Sequence, residues 1–325
     1  MIRMVLAADI GATKSLVGAF DPVPGRPRAI AIRRFRTLDY PNLEAMIANF
    51  MKERSVSDGS ITAACFGVAG PVMGHTCELT NIPWTLDAHG VAARFGFTRV
   101  RLLNDLEAMA YGVTVLVKSD VHVLQEGAPL PGGNMALIAA GTGLGEALLH
   151  NVNGRFIPSP SEGGHADFAP RNEREIALLR RLIDVYGRAD VEHVVSGPGL
   201  INIHRVTHDG ACLAVENLDD PDAPAAIFMA ALEHRCHRCV EALDLFVGAY
   251  GAEAGNLALR TVSSGGLFVG GGIASNILPA LTDGRFMHAF RDKAPFEPLL
   301  AAMPVKIILN QEAGLLGAAV VAAGS

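Results

Sequence analysis

A chain of 325 residues is long enough for one large domain or two of medium size, each with its own core. Half of the residues are hydrophobic, 18% are charged and 35 are glycine, which favours a compact α/β protein and argues against a disordered one. The net charge is −6, with 27 basic residues among 33 acidic ones, so the composition argues against a nucleic acid partner.

The chain shows no sign of export or of a membrane segment. Only the short apolar run of residues 4–8 precedes Asp9, and it is too brief for the core of a signal peptide. The longest uncharged stretch, residues 261–282, carries five glycines and several polar residues, which argues against a membrane span. The five cysteines are odd in number and irregularly spaced, as is typical of a reducing compartment. We therefore expect a cytoplasmic protein.

The first predicted elements form a β-meander. Apolar runs at residues 4–8, 15–20 and 29–35 predict three strands, and the turn Gly11-Ala12-Thr13 joins the first two. Apolar residues at helical spacing predict a helix over residues 43–51, and a strand follows over residues 61–68. A short strand at residues 100–103 then leads into Asn104 and Asp105, and residues 106–117 predict a helix.

The opening pattern recurs in the second half of the chain. Residues 135–140 predict a strand, Gly141-Thr142-Gly143 a turn, and residues 144–149 a returning strand. Helices are predicted over residues 176–186 and 225–250, and strands over residues 266–269 and 305–309, the last one before a helix of small residues. We expect a duplicated α/β chain with a smaller lobe of residues 1–115, completed by residues 305–325, and a larger lobe of residues 116–304.

Cys236 and Cys239 form a CxxC pair with His234 and His237 beside it. Tetrahedral zinc needs four ligands, usually completed by a second CxxC or an HxxxH, and we identify none that would pair with these two cysteines. Because the pair falls within the helix predicted over residues 225–250, we expect buried or half-buried thiols there and no metal.

Three glycine-rich turns at strand ends are the main chemical signal: residues 9–13, 141–143 and 270–272. Glycine lets backbone N–H groups approach phosphate oxygens, and threonine adds a hydroxyl donor. One such turn alone is more typical of an ordinary hairpin, but three of them favour a nucleotide site. The chain has neither the P-loop pattern GxxxxGK[ST] nor a GxGxxG that opens a helix in a βαβ unit.

The order and spacing of these motifs resemble the bacterial glucokinases, which belong to the actin, Hsp70 and hexokinase superfamily. The resemblance implies a two-lobed ribonuclease H-like α/β fold, ATP with Mg²⁺ in the cleft between the lobes, a hexose beside the γ-phosphate, and a homodimer. The segments that carry it are residues 9–13, 69–72, 79–81 with Trp84, 103–105, 140–145, 162–165, 167–170, 196–200 and 269–273.

Carried over residue by residue, the resemblance implies Asp105 as the general base and Asn104, Glu162, His165 and Glu192 as the contacts to sugar hydroxyls. A hexose presents hydroxyls that both donate and accept, which carboxylates, amides and imidazoles can pair with. From the residues alone, Asn104 and Asp105 could equally be a helix cap. Glu162 and His165 could be a solvated turn, and Glu192 could be a surface acid.

The resemblance also implies the nucleotide contacts. No residue is assigned as a direct metal ligand, although Asp9 is a candidate for contact with Mg²⁺ through water. Two residues depart from the usual family pattern: Ala12 replaces a second glycine, so we expect a negative φ there, and Lys14 is either solvated or in contact with a phosphate. The implied contacts are Ala8, Asp9, Ile10, Gly11, Ala12, Thr13, Gly141, Thr142, Gly143, Gly271 and Gly272.

The expected function is ATP-dependent phosphorylation of D-glucose to glucose 6-phosphate, the first step of glycolysis. The alternative is a ROK-type sugar kinase that acts on another hexose or an amino sugar, but the chain lacks the Cys-rich zinc motif of that family. A sugar-sensing repressor would need a helix-turn-helix ahead of Asp9, and a nicotinamide oxidoreductase would need GxGxxG with a later acid. We find neither pattern in the sequence.

Overall fold

The structure is a computed structural model that describes residues 4–52, 61–79 and 82–324. The chain divides into two compact units. The first unit contains the described residues up to Asp120, the short segment Phe156–Pro158 and the residues from Asn310 onwards. The second unit contains Val121–Arg155 and Ser159–Leu309.

The first unit is built on a five-stranded sheet in the order β3-β2-β1-β4-β8. β2 runs antiparallel to both β1 and β3, whereas β4 is parallel to both β1 and β8. This confirms the predicted opening meander. The elements are β1 (Met4–Ile10), β2 (Lys14–Asp21), β3 (Arg28–Arg36), α1 (Leu43–Met51), β4 (Ile61–Val68), β5 (Val72–Met73), β6 (Thr76–Glu78), β7 (Thr85–Asp87), α2 (Ala88–Phe95), β8 (Arg99–Asn104) and α3 (Asp105–Val113), of which β5, β6 and β7 form a small separate sheet.

The second unit is built on a six-stranded sheet in the order β12-β11-β10-β13-β14-β9. β10 and β11 form an antiparallel hairpin that repeats β1 and β2, and β13 is parallel to β10 and β14. The elements are β9 (Val121–Gln125), β10 (Met135–Ala140), β11 (Leu144–Val152), β12 (Arg155–Ser161), α4 (Glu173–Tyr186), α5 (Gly197–Thr207), α6 (Ala223–Leu232), α7 (His237–Thr261), β13 (Gly266–Gly270), α8 (Gly271–Asn276), α9 (Leu278–Thr282), α10 (Arg285–Arg291), α11 (Glu297–Ala302) and β14 (Val305–Ile308).

The single helix predicted over residues 225–250 is wrong, because the structure has two helices there. α6 ends at Leu232 and α7 begins at His237. Between them His234 adopts a left-handed conformation with φ 54°, and the N–H of Arg235 bonds back to the carbonyl of Ala230. Many helices end in this way, but the position usually holds glycine or asparagine, so a histidine there does not indicate a helix end. The helix after Asp105 also ends earlier than predicted, at Val113.

The last helix, α12 (Ala313–Ala323), belongs to the first unit and is buried along nearly its whole length. It packs against α3 and β1. A Cβ atom on Gly317 would overlap the carbonyl oxygen of Ala108, so glycine is what allows α12 and α3 to approach this closely. β14 was expected to return with this helix, but it pairs with β13 and β9 and lies in the second unit.

The sheet of the first unit is covered on both faces. Leu6 and Ala8 point to one face, where they pack with Leu43 and Phe50 of α1. Val5 and Ala7 point to the other face, with residues of α3 and α12. In the described residues, none of the helices is long and apolar enough to cross a membrane.

Candidate functional site

Asn104 and Asp105 lie where β8 ends and α3 begins. Asn104 is the N-cap of α3, and its side-chain oxygen accepts a hydrogen bond of 3.0 Å from the backbone N–H of Leu106. One carboxylate oxygen of Asp105 accepts from the same N–H at 2.8 Å. The capping role is therefore confirmed for Asn104, and the carboxylate of Asp105 accepts from the same turn of α3.

The carboxylate of Asp105 is accessible to solvent, but protein atoms crowd around it. The resulting desolvation raises its pKa, although hydrogen bonds from the backbone of Leu106 and the side chain of Asn104 act in the opposite direction. A carboxylate with a raised pKa is a better proton acceptor than an ordinary surface aspartate.

A second acid of the first unit, Asp9, is electrostatically linked to Asp105. Burial raises the pKa of Asp9 to about 6, and the nearby charge of Asp105 contributes to the same shift. Two carboxylates that repel each other in this way can bind a cation with little cost, because the cation relieves the repulsion.

The first glycine turn, between β1 and β2, is a tight hairpin. The N–H of Gly11 donates to the carbonyl oxygen of Lys14 at 3.1 Å, and the Thr37 hydroxyl donates to the carbonyl oxygen of Gly11 at 2.7 Å. The φ of Ala12 is not positive, as predicted. The side chains of Ala8 and Ile10 are fully buried, so only their backbone could contact a ligand.

The second glycine turn, between β10 and β11, is tied to Glu192. One oxygen of the Glu192 carboxylate accepts a hydrogen bond of 2.8 Å from the N–H of Leu144, and the same oxygen would lie 2.6 Å from a Cβ atom on Gly143. The backbone N–H of Glu192 donates to the carbonyl of Gly164 at 2.9 Å. Glu192 therefore links the glycine turn to the segment that carries Glu162 and His165, and its interpretation as an isolated surface acid is wrong.

Glu162 and His165 lie on one short turn with exposed side chains, in which the N–H of His165 donates to the carbonyl of Glu162 at 3.0 Å. Nδ1 of His165 lies 3.1 Å from a carboxylate oxygen of the buried Asp190. This hydrogen bond is the main cause that raises the pKa of His165, and it leaves Nε2 for a ligand. Sequence reasoning missed Asp190, which contacts His165 across 25 residues of chain.

The third glycine turn follows β13. Gly271 has φ 85°, and a Cβ atom there would overlap the backbone of Ala140, so this position requires glycine. The hydroxyl of the buried Tyr250 donates to the carbonyl of Gly270 at 3.3 Å and accepts from the N–H of Ala140 at 3.2 Å. Tyr250, which the sequence did not indicate, thus holds together the ends of β10 and β13, where two of the three turns begin.

Two buried acids, Glu146 and Glu253, share an arginine close to the turn of Glu162. Glu146 on β11 is 1% exposed and forms an ion pair of 3.7 Å with Arg260, which also pairs with Glu253. Burial and the neighbouring charge of Glu253 raise the pKa of Glu146 well above its ordinary value.

The other residues predicted near the glycine turns are exposed to solvent. The side chains of Thr13, Lys14 and Thr142 are exposed, and Gly272 has open space around it. Thr80 and Asn81, which contributed to the family resemblance, lie outside the described residues.

Comparison with known proteins places the chain in a family. A family model described as Glucokinase matches residues 6–325. A glucokinase of Nostoc punctiforme is 39% identical over an alignment of 342 positions, which covers 99% of each chain. The crystal structure of a glucokinase from an Antarctic psychrotroph matches with a TM-score of 0.86 and 26% identity over the full length of both chains. A ROK family glucokinase from Streptomyces griseus, solved in complex with glucose and AMPPNP, shares the fold with a TM-score of 0.64 at 21% identity, and the match covers 99% of this chain and 100% of that one. The chain described here belongs to the glucokinase family.

Proposed function

We propose that this chain transfers the γ-phosphoryl group of ATP to D-glucose, giving ADP and glucose 6-phosphate, with Asp105 as the general base. The observation that supports this role is that Asp105 presents an accessible carboxylate at the start of α3, and that desolvation by nearby protein atoms raises the pKa of this carboxylate. Phosphoryl transfer needs mainly alignment of the reactants, stabilisation of phosphate charge, and an acceptor for the hydroxyl proton. Asp105 would take the proton of the attacking sugar hydroxyl.

We assign the sugar hydroxyls to Asn104, Glu162, His165 and Glu192. The hydrogen bond between His165 and Asp190 supports this assignment, because it orients the imidazole and leaves one ring nitrogen for a hydroxyl. Glu192 uses one carboxylate oxygen for the N–H of Leu144, which leaves the other oxygen as an acceptor.

The three glycine turns are assigned to the phosphates of ATP, through backbone N–H groups and the hydroxyls of Thr13 and Thr142. The residues fit a divalent cation, because Asp9 offers a carboxylate whose pKa is raised partly by the charge of Asp105. When bound, Mg²⁺ neutralises charge on the phosphates, and we assign Asp9 to hold it through water. The repeated hairpins β1–β2 and β10–β11 support the ribonuclease H-like assignment of the fold.

A sugar panel tests the proposed function directly. Formation of ADP is measured in a coupled assay with glucose, mannose, fructose, N-acetylglucosamine and N-acetylmannosamine, with and without Mg²⁺. We expect the highest kcat/KM with glucose and loss of activity without the divalent ion. A preference for an amino sugar would replace the assignment with a ROK-type specificity, and no ADP with any sugar would refute it. A homodimer, a cytoplasmic location and a place in glycolysis are further proposals, and light scattering after gel filtration tests the first of them.

A further inference from the structure

Five cysteine and histidine side chains of the second unit come together at the C-terminal end of α5. His204 lies in α5, His208 directly after it, and Cys212 in the following loop, while Cys236 and Cys239 lie at the start of α7. The expectation that the CxxC pair lacks further ligands is therefore wrong. His204 and His208 form an HxxxH pattern that sequence reasoning overlooked, and Cys212 had no pattern to reveal it.

Four of the six distances among His208, Cys212, Cys236 and Cys239 match the edges of a tetrahedron. The Sγ atom of Cys212 lies 3.8 Å from that of Cys236 and 3.8 Å from that of Cys239. Nε2 of His208 lies 3.5 Å from the Sγ atom of Cys236 and 3.9 Å from that of Cys239. With zinc bonds of about 2.3 Å to sulfur and about 2.0 Å to nitrogen, tetrahedral geometry gives edges of about 3.8 Å between two sulfurs and about 3.5 Å between sulfur and nitrogen. These four edges thus already have the lengths expected of a zinc site.

The surrounding hydrogen bonds orient the histidine ligand. Nδ1 of His208 lies 2.9 Å from the carbonyl oxygen of His204, to which an N–H at this position donates. The proton therefore sits on Nδ1, and the lone pair of Nε2 faces the sulfur atoms. A metal-bound histidine is commonly held by a bond of this kind from its other nitrogen.

Cys236 has the environment of a thiolate. It is the N-cap of α7, where the free N–H groups of the first turn favour negative charge. Its sulfur lies 3.5 Å from Nε2 of His208, so the end of the helix places a sulfur ligand directly beside the histidine.

His204 is the buried neighbour of the group. It is 3% exposed, and neither of its ring nitrogens has a hydrogen-bond partner among the described residues. Its ring stacks on that of His208 with 3.6 Å between the centroids, and its ligand atom lies within 4.8 Å of those of His208, Cys212 and Cys239. Buried polar atoms without a partner are uncommon and often mark the place of an ion.

We propose that His208, Cys212, Cys236 and Cys239 bind one zinc ion in a closed tetrahedral site, and that His204 positions the His208 ring. Three thiolates and one imidazole select zinc among the common cellular divalent ions, and four protein ligands leave no open position for catalysis. The cysteines that are still thiols release their protons when the ion binds. The role of the site is therefore structural.

The zinc ion would join three segments of the second unit: the end of α5, the loop that contains Cys212, and the start of α7. At its other end α5 begins beside the second glycine turn, where the N–H of Gly197 donates to the carbonyl of Gly141 at 2.8 Å. α7 carries Tyr250, which bonds to the ends of β10 and β13. Zinc would thus fix the far ends of two helices that support the glycine turns.

The test begins with the metal content of the full chain, purified without a polyhistidine tag from zinc-supplemented cells and measured by inductively coupled plasma mass spectrometry. We expect one zinc per chain, and loss of at least nine-tenths of it in Cys239→Ser and in His208→Ala. Cys65→Ser is the matched control, because Cys65 is a buried free cysteine of the first unit, outside the group. It should keep its zinc.

A second measurement does not depend on whether the variants fold. The wild-type chain, stripped of metal by a chelator under reducing conditions, is titrated with Co²⁺. We expect the intense visible bands of tetrahedral cobalt together with thiolate-to-cobalt charge transfer, and X-ray absorption of the zinc form should give three sulfurs and one nitrogen. A shell of two sulfurs and two nitrogens would overturn the ligand set in favour of His204. Three results would overturn the proposal. The first is the absence of both zinc and the cobalt bands, and the second is a disulfide among Cys212, Cys236 and Cys239 in alkylated lysate. The third is full zinc retention in both variants.

Discussion

Replacement of Asp105 by asparagine separates the proton-accepting role of this residue from its structural role. Asparagine has nearly the same shape, and its side-chain oxygen can still accept the 2.8 Å hydrogen bond from the N–H of Leu106. Asn104 remains the N-cap of α3, so the helix should start at the same place. What the variant loses is the ability to accept a proton.

The expected loss follows from the size of general base catalysis. Such catalysis contributes about 10² to 10⁴ in rate, which corresponds to about 2.7 to 5.4 kcal/mol in the activation free energy. We therefore expect kcat of Asp105→Asn to fall by that factor in a coupled ADP assay, while glucose affinity measured by calorimetry changes little. Only the deprotonated form of Asp105 can accept a proton, and this form is lost below the raised pKa of Asp105. The kcat/KM of the wild type should therefore fall as the pH drops below that pKa.

Asp9 provides an independent readout of the same substitution. Its pKa of about 6 is raised first by burial and then by the charge of Asp105. Removal of that charge should lower the pKa of Asp9 while leaving it above 3.8, as followed by carbon-13 NMR of the aspartate carboxyl carbons. Glu107→Gln is the matched control, since it removes an acid from the same first turn of α3 and should preserve turnover. Turnover of Asp105→Asn within a factor of about ten of the wild type would refute the assignment of the base, and a raised KM with unchanged kcat would mark Asp105 as a binding residue.

Three further predictions concern the sugar contacts, the helix packing and the buried acids. Glu162→Gln and His165→Ala should each weaken glucose binding, measured by calorimetry, by about 1.5 to 3 kcal/mol, with little change in the KM for ATP. A raised KM for ATP with unchanged glucose affinity would assign this turn to the nucleotide. Gly317→Ala should lower the Tm by several degrees, because the new methyl group overlaps the carbonyl oxygen of Ala108. Gly210→Ala is the control and should not lower the Tm, because Gly210 has open space around it. Equal Tm values for the two variants would contradict the packing argument. Burial raises the pKa of Glu146 above its ordinary value of 4.5, so the folded state holds this proton more tightly, and the free energy of unfolding should decline as the pH rises from 4.5 through the raised pKa. Urea unfolding of Glu146→Gln should show a stability advantage over the wild type that grows with pH, and an advantage that is constant or shrinks would refute the shift.

The local elements were predictable because their signals are local. Apolar runs bounded by glycine turns indicated both hairpins, β1–β2 and β10–β11, and the pattern after β8 indicated a cap at Asn104, which the structure confirms. The family resemblance supplied the roles, and these stay predictions for Asp105 and the sugar contacts.

Two of the contacts that sequence reasoning missed are made across long separations. Asp190 orients His165, and Tyr250 joins the ends of two strands that are distant in the chain. The break between α6 and α7 was also not predicted, because His234 adopts a left-handed backbone conformation that residues other than glycine and asparagine rarely adopt. No periodicity or spacing encodes the contacts of Asp190 and Tyr250, since these contacts form only after the sheet and helices have come together.

The return of α12 to the first unit sets an order in which the protein can be completed on the ribosome. Residues 121–309 are synthesised before α12, and at 5 to 20 residues per second this delay lasts roughly 10 to 40 s. During that interval α3 lacks the helix that Gly317 allows to pack against it, and the apolar side chains of Val5 and Ala7 lack part of their cover. The last strand of the second unit, β14, ends at Ile308, so the sheet of that unit is complete in sequence just before α12 begins. The half of the enzyme that carries Asp105 is thus the first to be translated and the last to be finished, and it is the half that nascent-chain chaperones would need to protect.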